Sequence, residues 1–212
     1  MRQEAPRSGF LHLATHGFFA PPSLRSALGP EPVVTGGGGP GRREIDPFGG
    51  RGLVGFHPGL LSGLALAGAN RPPEPGQDDG ILTALEVAEL DLSGVNLAVL
   101  SACETGLGEV AGGEGLLGLQ RAFQVAGVRT VVASFWKVKD QATRALMERF
   151  YQNLWGQQPQ GPLAALRAAQ LWMLREGRQR ALVPVEVEAP AERPDRVPPE
   201  YWAAFVLSGD WR

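Results

Sequence analysis

The 212-residue chain has a single cysteine, and that scarcity removes two ways of building a protein. One thiol cannot close an internal disulfide, and it cannot assemble a cysteine-based zinc site. Long apolar runs are missing as well. No window approaches the roughly 18 apolar residues that a membrane-spanning helix needs, and the first residues, M-R-Q-E-A-P-R-S-G-F, lack the apolar centre of a signal peptide. The reading is therefore no membrane and a cytoplasmic location. Nor is there a surplus of one charge: 20 Lys and Arg stand against 22 Asp and Glu, for a formal net charge of -2. The basic residues are scattered along the chain, which gives no electrostatic footprint for a phosphate backbone and argues against nucleic acid as a partner. Neither Gly-Lys-Ser nor Gly-Lys-Thr occurs, so a nucleotide-hydrolysing P-loop has no support.

What is present is an ordinary globular composition, 43% hydrophobic, in a chain long enough for one substantial core. The expected organisation is a single domain over residues 1–212, with two loop-like interruptions. Residues 21–58 are nearly all glycine, proline and charge, without a sustained period; residues 183–199 are rich in proline and acid.

The stretch from Val95 to Phe123 organises the rest. Val95, Leu97, Ala98, Val99 and Leu100 read as a strand buried on both faces, and the strand is expected to end at Cys103, where a glycine-rich loop begins. Open α/β sheets place reacting groups at such strand ends. Burial is the default for a free thiol, and against it stands a role as nucleophile.

Phe10 to Thr15 is a second short apolar run, which places His16 at a strand end. His12 lies four residues earlier, a spacing that would put two metal ligands on one helix face. On a strand the same spacing separates them by about 13 Å, so they cannot share an ion, and His12 reads as a sheet histidine. His57, at the end of the long loop, is expected to take no catalytic part. Leu60 to Ala69 reads as another buried strand. Thr83 and Glu86 match a capping box that opens a short helix to about Leu90. A helix over 113–126, a β-branched strand from Val128 to Phe135, helices from Asp140 to Leu154 and from Leu163 to Arg175, and a closing strand in W-A-A-F-V-L-S-G complete the reading. Asp140 is the expected N-cap of its helix. Strands alternating with helices make an α/β protein with a mostly parallel sheet.

A thiol attacks as its thiolate and needs a base close by; histidine is the side chain whose proton moves near neutral pH. In a parallel sheet the strand ends that carry His16 and Cys103 emerge on the same edge, a geometry that permits a Cys-His dyad. The backbone N–H groups of Gly17 and Cys103 could hold the oxyanion formed in acyl transfer. A competing signal lies in the same loop, where Gly106 to Ala111 fits G-x-G-x-x-A between a strand and a helix. A dinucleotide site is disfavoured because Ser101 to Thr105 separate the strand from the first glycine, and because the next strand ends in Ser134-Phe135-Trp136 without the acid that a ribose requires.

Seven blocks, in order, resemble the CHAT domain family: F-L-H-L-A-T-H-G-F-F, S-G-L-A-L-A-G-A-N, D-G-I-L-T-A-L-E-V-A-E-L-D-L, L-A-V-L-S-A-C-E-T-G-L-G, G-E-G-L-L-G-L-Q-R-A-F, V-V-A-S-F-W-K-V and Y-W-A-A-F-V-L-S-G-D-W. The resemblance covers the chain apart from the two loops. It implies a caspase-like cysteine peptidase, a three-layer sandwich in which helices flank a mostly parallel sheet. By the same resemblance His16 is the base and Cys103 the nucleophile of an acyl-enzyme mechanism, with Gly17 and Cys103 as the oxyanion hole and no cofactor or metal required. Asp140 matches the family's acid in W-K-V-K-D; beside a substrate pocket it would favour a basic residue before the cleaved bond. Glu104 is a second pocket candidate, with surface exposure its default. A protein substrate, and tetratricopeptide-repeat partners or regions, are implied by the family alone. Family members carry more chain before the histidine strand, so the sheet is expected to lack N-terminal strands. That leaves open a truncated product, a fold completed by another chain, or a folded but inactive interaction module.

Overall fold

Strand residues that alternate between two apolar faces require cover on both sides, and this chain supplies it with helices from two different parts of the sequence. The computed structural model describes residues 1–19, 57–71, 78–101, 103–104, 114–136, 139–183 and 197–212. The main sheet has the order β1-β5-β7-β8, where β1 is Phe10–Leu13, β5 Leu97–Leu100, β7 Thr130–Ser134 and β8 Phe205–Gly209. β1, β5 and β7 run parallel, and β8 closes the sheet antiparallel to β7.

Ala98, Leu100, Val131 and Ala133 point to one side, into a core shared with Leu119, Ala122 and Phe123 of α2 (Glu114–Val125) and Ala84 and Val87 of α1 (Ala84–Ala88). Leu97, Val99 and Val132 point to the other, against Leu146 and Phe150 of α3 (Asp140–Trp155), Ala165, Ala169 and Met173 of α4 (Pro162–Glu176), and Tyr201 of α5 (Pro199–Trp202). The period of two thus divides one sheet between two helix layers, giving the three-layer α/β sandwich.

A second sheet has the order β4-β3-β2-β6, with β2 His16–Phe19, β3 Ser62–Ala65, β4 Ile81–Thr83 and β6 Cys103–Glu104. Here the structure refines three sequence expectations. The run ending at His16 is two strands: β1 stops at Leu13, the chain steps at Ala14 and Thr15, and His16 opens β2. Likewise Cys103 does not end β5, which stops at Leu100, but opens β6. The Ser101 N–H donates to the Leu13 carbonyl at 3.0 Å, closing the main sheet at the point where both chains leave it. The expected strand from Leu60 to Ala69 shrinks to four residues, because Leu60 belongs to a 3-10 turn and Gly68, at φ 104°, sits in the turn that follows.

The capping box forms as expected, with Thr83 Oγ1 accepting from the Glu86 N–H at 3.3 Å and Glu86 Oε2 accepting from the Thr83 N–H at 2.8 Å. Asp140 is not the N-cap of α3. Lys139 holds that position with extended dihedrals, φ -89° and ψ 122°, and its carbonyl accepts the first helical bond, from Thr143 N–H at 2.9 Å. Asp140 lies in the first turn, where a carboxylate is favoured by the exposed N–H groups of the helix start. α5 was not expected; it opens on Pro199 at the end of a proline-rich stretch, and proline suits the first helical position. Most of the two stretches read as loops, and the Gly106 to Ala111 motif, fall outside the described residues.

Candidate functional site

Leu13, Leu100 and Ala133 are register partners across three adjacent parallel strands, and together they form the last common rung of β1, β5 and β7. Beyond that rung β1 and β5 both continue into the second sheet, where β2 and β6 again pair in parallel. In that pair His16 is the register partner of Cys103, and Gly17 of Glu104. Neighbouring strands stand about 4.8 Å apart, and register partners share one face of the pleat. Two residues separated by 87 positions of sequence thus occupy one rung of one sheet.

The surroundings of β2 explain why the strand lies where it does. On its other side it pairs antiparallel with β3, His16 opposite Ala65 and Phe18 opposite Gly63. A Cβ on Gly63 would fall 2.7 Å from the Phe18 ring and 2.6 Å from the Leu82 carbonyl, so only glycine lets β3 pass beneath that ring. The Thr15 hydroxyl donates to the Ala65 carbonyl, tying the step between β1 and β2 to the residue that faces His16. Sequence reasoning missed Thr15. Its signal was present: a hydroxyl residue directly before the candidate histidine, at a break between two apolar runs, where such side chains bond neighbouring backbone.

His16 is exposed and Gly17 is buried. Asp140, also exposed, begins α3 shortly after the end of β7, at the same end of the main sheet from which β1 and β5 lead to His16 and Cys103. His16, Gly17, Cys103 and Glu104 are therefore brought together by direct strand pairing, and Asp140 only by sharing that sheet end. Among the described residues, no group of three His, Cys, Asp or Glu side chains is placed to hold a metal ion.

The other two histidines lie elsewhere. His12 stands on β1, opposite Val99, and its Nδ1 is 2.7 Å from the Tyr151 hydroxyl. Although much of the residue stays exposed, what burial its ring undergoes lowers its pKa. His57 accepts the Gly59 N–H at Nδ1, 3.1 Å away, in the exposed turn before β3.

Tetratricopeptide repeat protein 28 of Mus musculus is 38% identical over 74 residues, a stretch that makes up 35% of this chain and 3% of the mouse protein. No helix among the described residues is long and apolar enough to cross a membrane. The family model described as CHAT domain matches residues 1–210, all but the last two positions of the sequence, and with both sheets and the His16–Cys103 rung inside that span the chain belongs to the CHAT domain family.

Proposed function

We propose that the protein is a cysteine endopeptidase that cleaves a protein partner through an acyl-enzyme, with Cys103 as nucleophile and His16 as its base. The observation that carries this reading is the pairing of His16 with Cys103 on one rung of β2 and β6. A dyad needs its two members within hydrogen-bond reach, and adjacent strands are the shortest sheet distance at which two side chains on one face can meet.

His16 takes the thiol proton, and the sulfur attacks the scissile carbonyl. The carbonyl π pair moves to oxygen, and the resulting oxyanion accepts hydrogen bonds from the backbone N–H groups of Gly17 and Cys103. Collapse breaks the carbon–nitrogen bond, and the proton held by His16 passes to the leaving amine. Water, deprotonated by His16, then attacks the thioester; the acid leaves and the thiol is restored. No step draws on a metal or an organic cofactor. Asp140 and Glu104 would line the pocket and favour a basic side chain before the cleaved bond. The mouse relative is named for tetratricopeptide repeats, which supports a repeat-bearing partner or region as the regulator here.

The test is the rate of Cys103 alkylation by iodoacetamide against pH in the parent and in His16→Ala, with circular dichroism as the fold control. A thiolate titrating well below the ordinary thiol value of about 8.5, lost in His16→Ala, is the expected result. Peptidase activity must then vanish in Cys103→Ala. Coincident profiles near the ordinary value would overturn the reading in favour of a non-catalytic interaction module that keeps the fold.

A further inference from the structure

α4 covers the outer face of the main sheet, and a helix in that position ordinarily turns an apolar stripe inward and polar or charged residues outward. The inward stripe is there. At about 100° per residue, Ala165, Leu166, Ala169, Trp172 and Met173 fall within one arc of about 120°, and all five pack into or against the core on that side.

The outward arc departs from the rule. Leu163, Arg167, Leu171, Leu174 and Arg175 share an arc of about 140° on the opposite side, and the other places on it belong to Ala164 and Ala168. None of the three leucines enters the core: Leu163 is 42% exposed, and Leu171 and Leu174 are half-buried. Acids and neutral polar residues are absent from this arc. Glu176, the one acid of the helix, lies on the inner side and is held by Arg180 at 2.7 Å. Among the described residues no acid pairs with Arg167 or Arg175, both of which are exposed. The neighbouring α3 shows the usual alternative, an exposed pair between Arg144 and Glu148 at 2.9 Å. α4 is thus apolar nearly all round, the pattern of a helix covered on both sides.

The arrangement of the arc says what covers it. Leu171 is central, with Arg167 one turn before it and Arg175 one turn after, about 12 Å apart along the axis. This is an apolar anchor with a rim of one charge. A second copy is a poor match, because a two-fold axis through Leu171 would set Arg167 of one copy against Arg175 of the other. The ridge from Leu163 to Arg175 is straight and about 18 Å long, and Ala164 and Ala168, one turn apart, leave a groove beside it for the ridge of another helix. We infer that the outer face of α4 is a docking surface for an acidic amphipathic helix of a partner protein, its aliphatic side chains packing around Leu163 and Leu171 and its carboxylates meeting Arg167 and Arg175. The inference is independent of the proposed peptidase reaction.

Three fluorescein-labelled stapled helices test it by anisotropy with the full chain. Each carries leucines along one face and, at the spacing of Arg167 and Arg175, either two glutamates, two glutamines or two lysines. The glutamate helix should bind about 10-fold more tightly than the glutamine helix and the lysine helix least, with the difference shrinking as salt is raised. Arg167→Glu with Arg175→Glu should reverse the order, so that the lysine helix binds best, a rescue that damage to the fold could not produce. Leu171→Ala should weaken the glutamate helix about 10-fold while circular dichroism stays native. Three helices that bind alike, none that binds at millimolar concentration, or a preference for glutamate that survives in the double variant would each overturn the inference. A parent that ignores the helices but sediments with phosphatidylserine vesicles through Arg167 and Arg175 would make the face a membrane contact, and a dimer that Leu171→Ala dissociates would give it to a second copy; either result overturns it as well.

Discussion

The Tyr151 hydroxyl lies 2.7 Å from His12 Nδ1, joining α3 to the edge strand β1 across the outer face of the main sheet. Trp155 stacks on the Tyr151 ring at 4.9 Å, and Phe10 meets Trp155 edge-on at 5.1 Å, so this polar contact has aromatic neighbours. The hydroxyl donating to an unprotonated Nδ1 fits the direction of the His12 shift, which burial moves below the ordinary 6.5. A histidine whose folded pKa is depressed contributes stability that is complete above its unfolded pKa and is lost as pH falls through the folded value. Stability should therefore decline as pH drops from 7 toward 5, and His12→Gln should decline less. Urea midpoints of the two proteins at both pH values check it; equal declines would remove His12 as the cause.

At alkaline pH the same contact acts through its other member. Burial raises the Tyr151 pKa from 10.0 to about 12. A raised pKa means stability fully present below 10 and lost as pH rises toward 12, because the unfolded chain ionises first. Tyr151→Phe should start about 1 kcal/mol less stable at pH 7, for the missing hydrogen bond, and then lose less than the parent between pH 10 and pH 12. Parallel alkaline denaturation curves for the two proteins would contradict it.

The architecture was legible in the sequence where one physical signal dominated. The apolar run at Val95 to Leu100 read as a strand buried on both faces and Val128 to Phe135 as a β-branched strand, and Thr83 with Glu86 announced a helix start that the structure forms bond for bond. What could not be read was the step from one sheet to another. Ala14, Thr15 and Ser101 are small residues compatible with a continuing strand, and only pairing with β3, contributed from residues 62–65, decides that His16 and Cys103 open new strands. The N-cap of α3 failed for a related reason. Asp140 is the better capping residue by type, but the extended backbone falls one position earlier, on Lys139.

The capping box offers a calibrated comparison. Thr83→Ala removes the side-chain oxygen that accepts the Glu86 N–H, and should cost about 1 kcal/mol in urea denaturation. Glu86 also pairs with Arg2 at 2.8 Å, but both side chains are substantially exposed, at 42% and 36%. Arg2→Ala should accordingly cost well under 1 kcal/mol, and added salt should erase the difference from the parent. A larger cost for Arg2→Ala than for Thr83→Ala would show that the pair has been undervalued.

Gly127 ends α2 in a left-handed conformation, φ 106°, with its N–H donating to Gln124 O and the Val128 N–H reaching back to Phe123 O, both at 3.0 Å. This is the backbone arrangement of a Schellman cap. A Cβ at Gly127 would lie 2.9 Å from backbone atoms of Ser93, so neither the dihedral nor the neighbour can accept one. Gly127→Ala should cost about 2 kcal/mol or more. Gly94 makes the control, since a Cβ there meets only the Pro6 carbonyl at 3.8 Å, and Gly94→Ala should stay within about 0.5 kcal/mol of the parent.

Thr15 connects the fold to the proposed chemistry. Its hydroxyl donates to the Ala65 carbonyl, and Ala65 is the residue opposite His16, so one hydrogen bond fixes the chain directly before the candidate base to the strand beside it. Thr15→Val keeps the shape and the β-branching but leaves that partly buried carbonyl without its donor. The loss should be about 1 kcal/mol of stability, which corresponds to about a 5-fold change in any rate that depends on the position being held. Cys103 alkylation at pH 7 should slow by about that factor in Thr15→Val, where circular dichroism remains native, and Thr15→Ser should recover most of the rate, since it restores the donor. If Thr15→Val loses stability while its alkylation profile keeps the parent's rate and apparent pKa, the hydroxyl serves the strand step alone, and the placement of His16 must come from the pairing of β2 with β3 and β6.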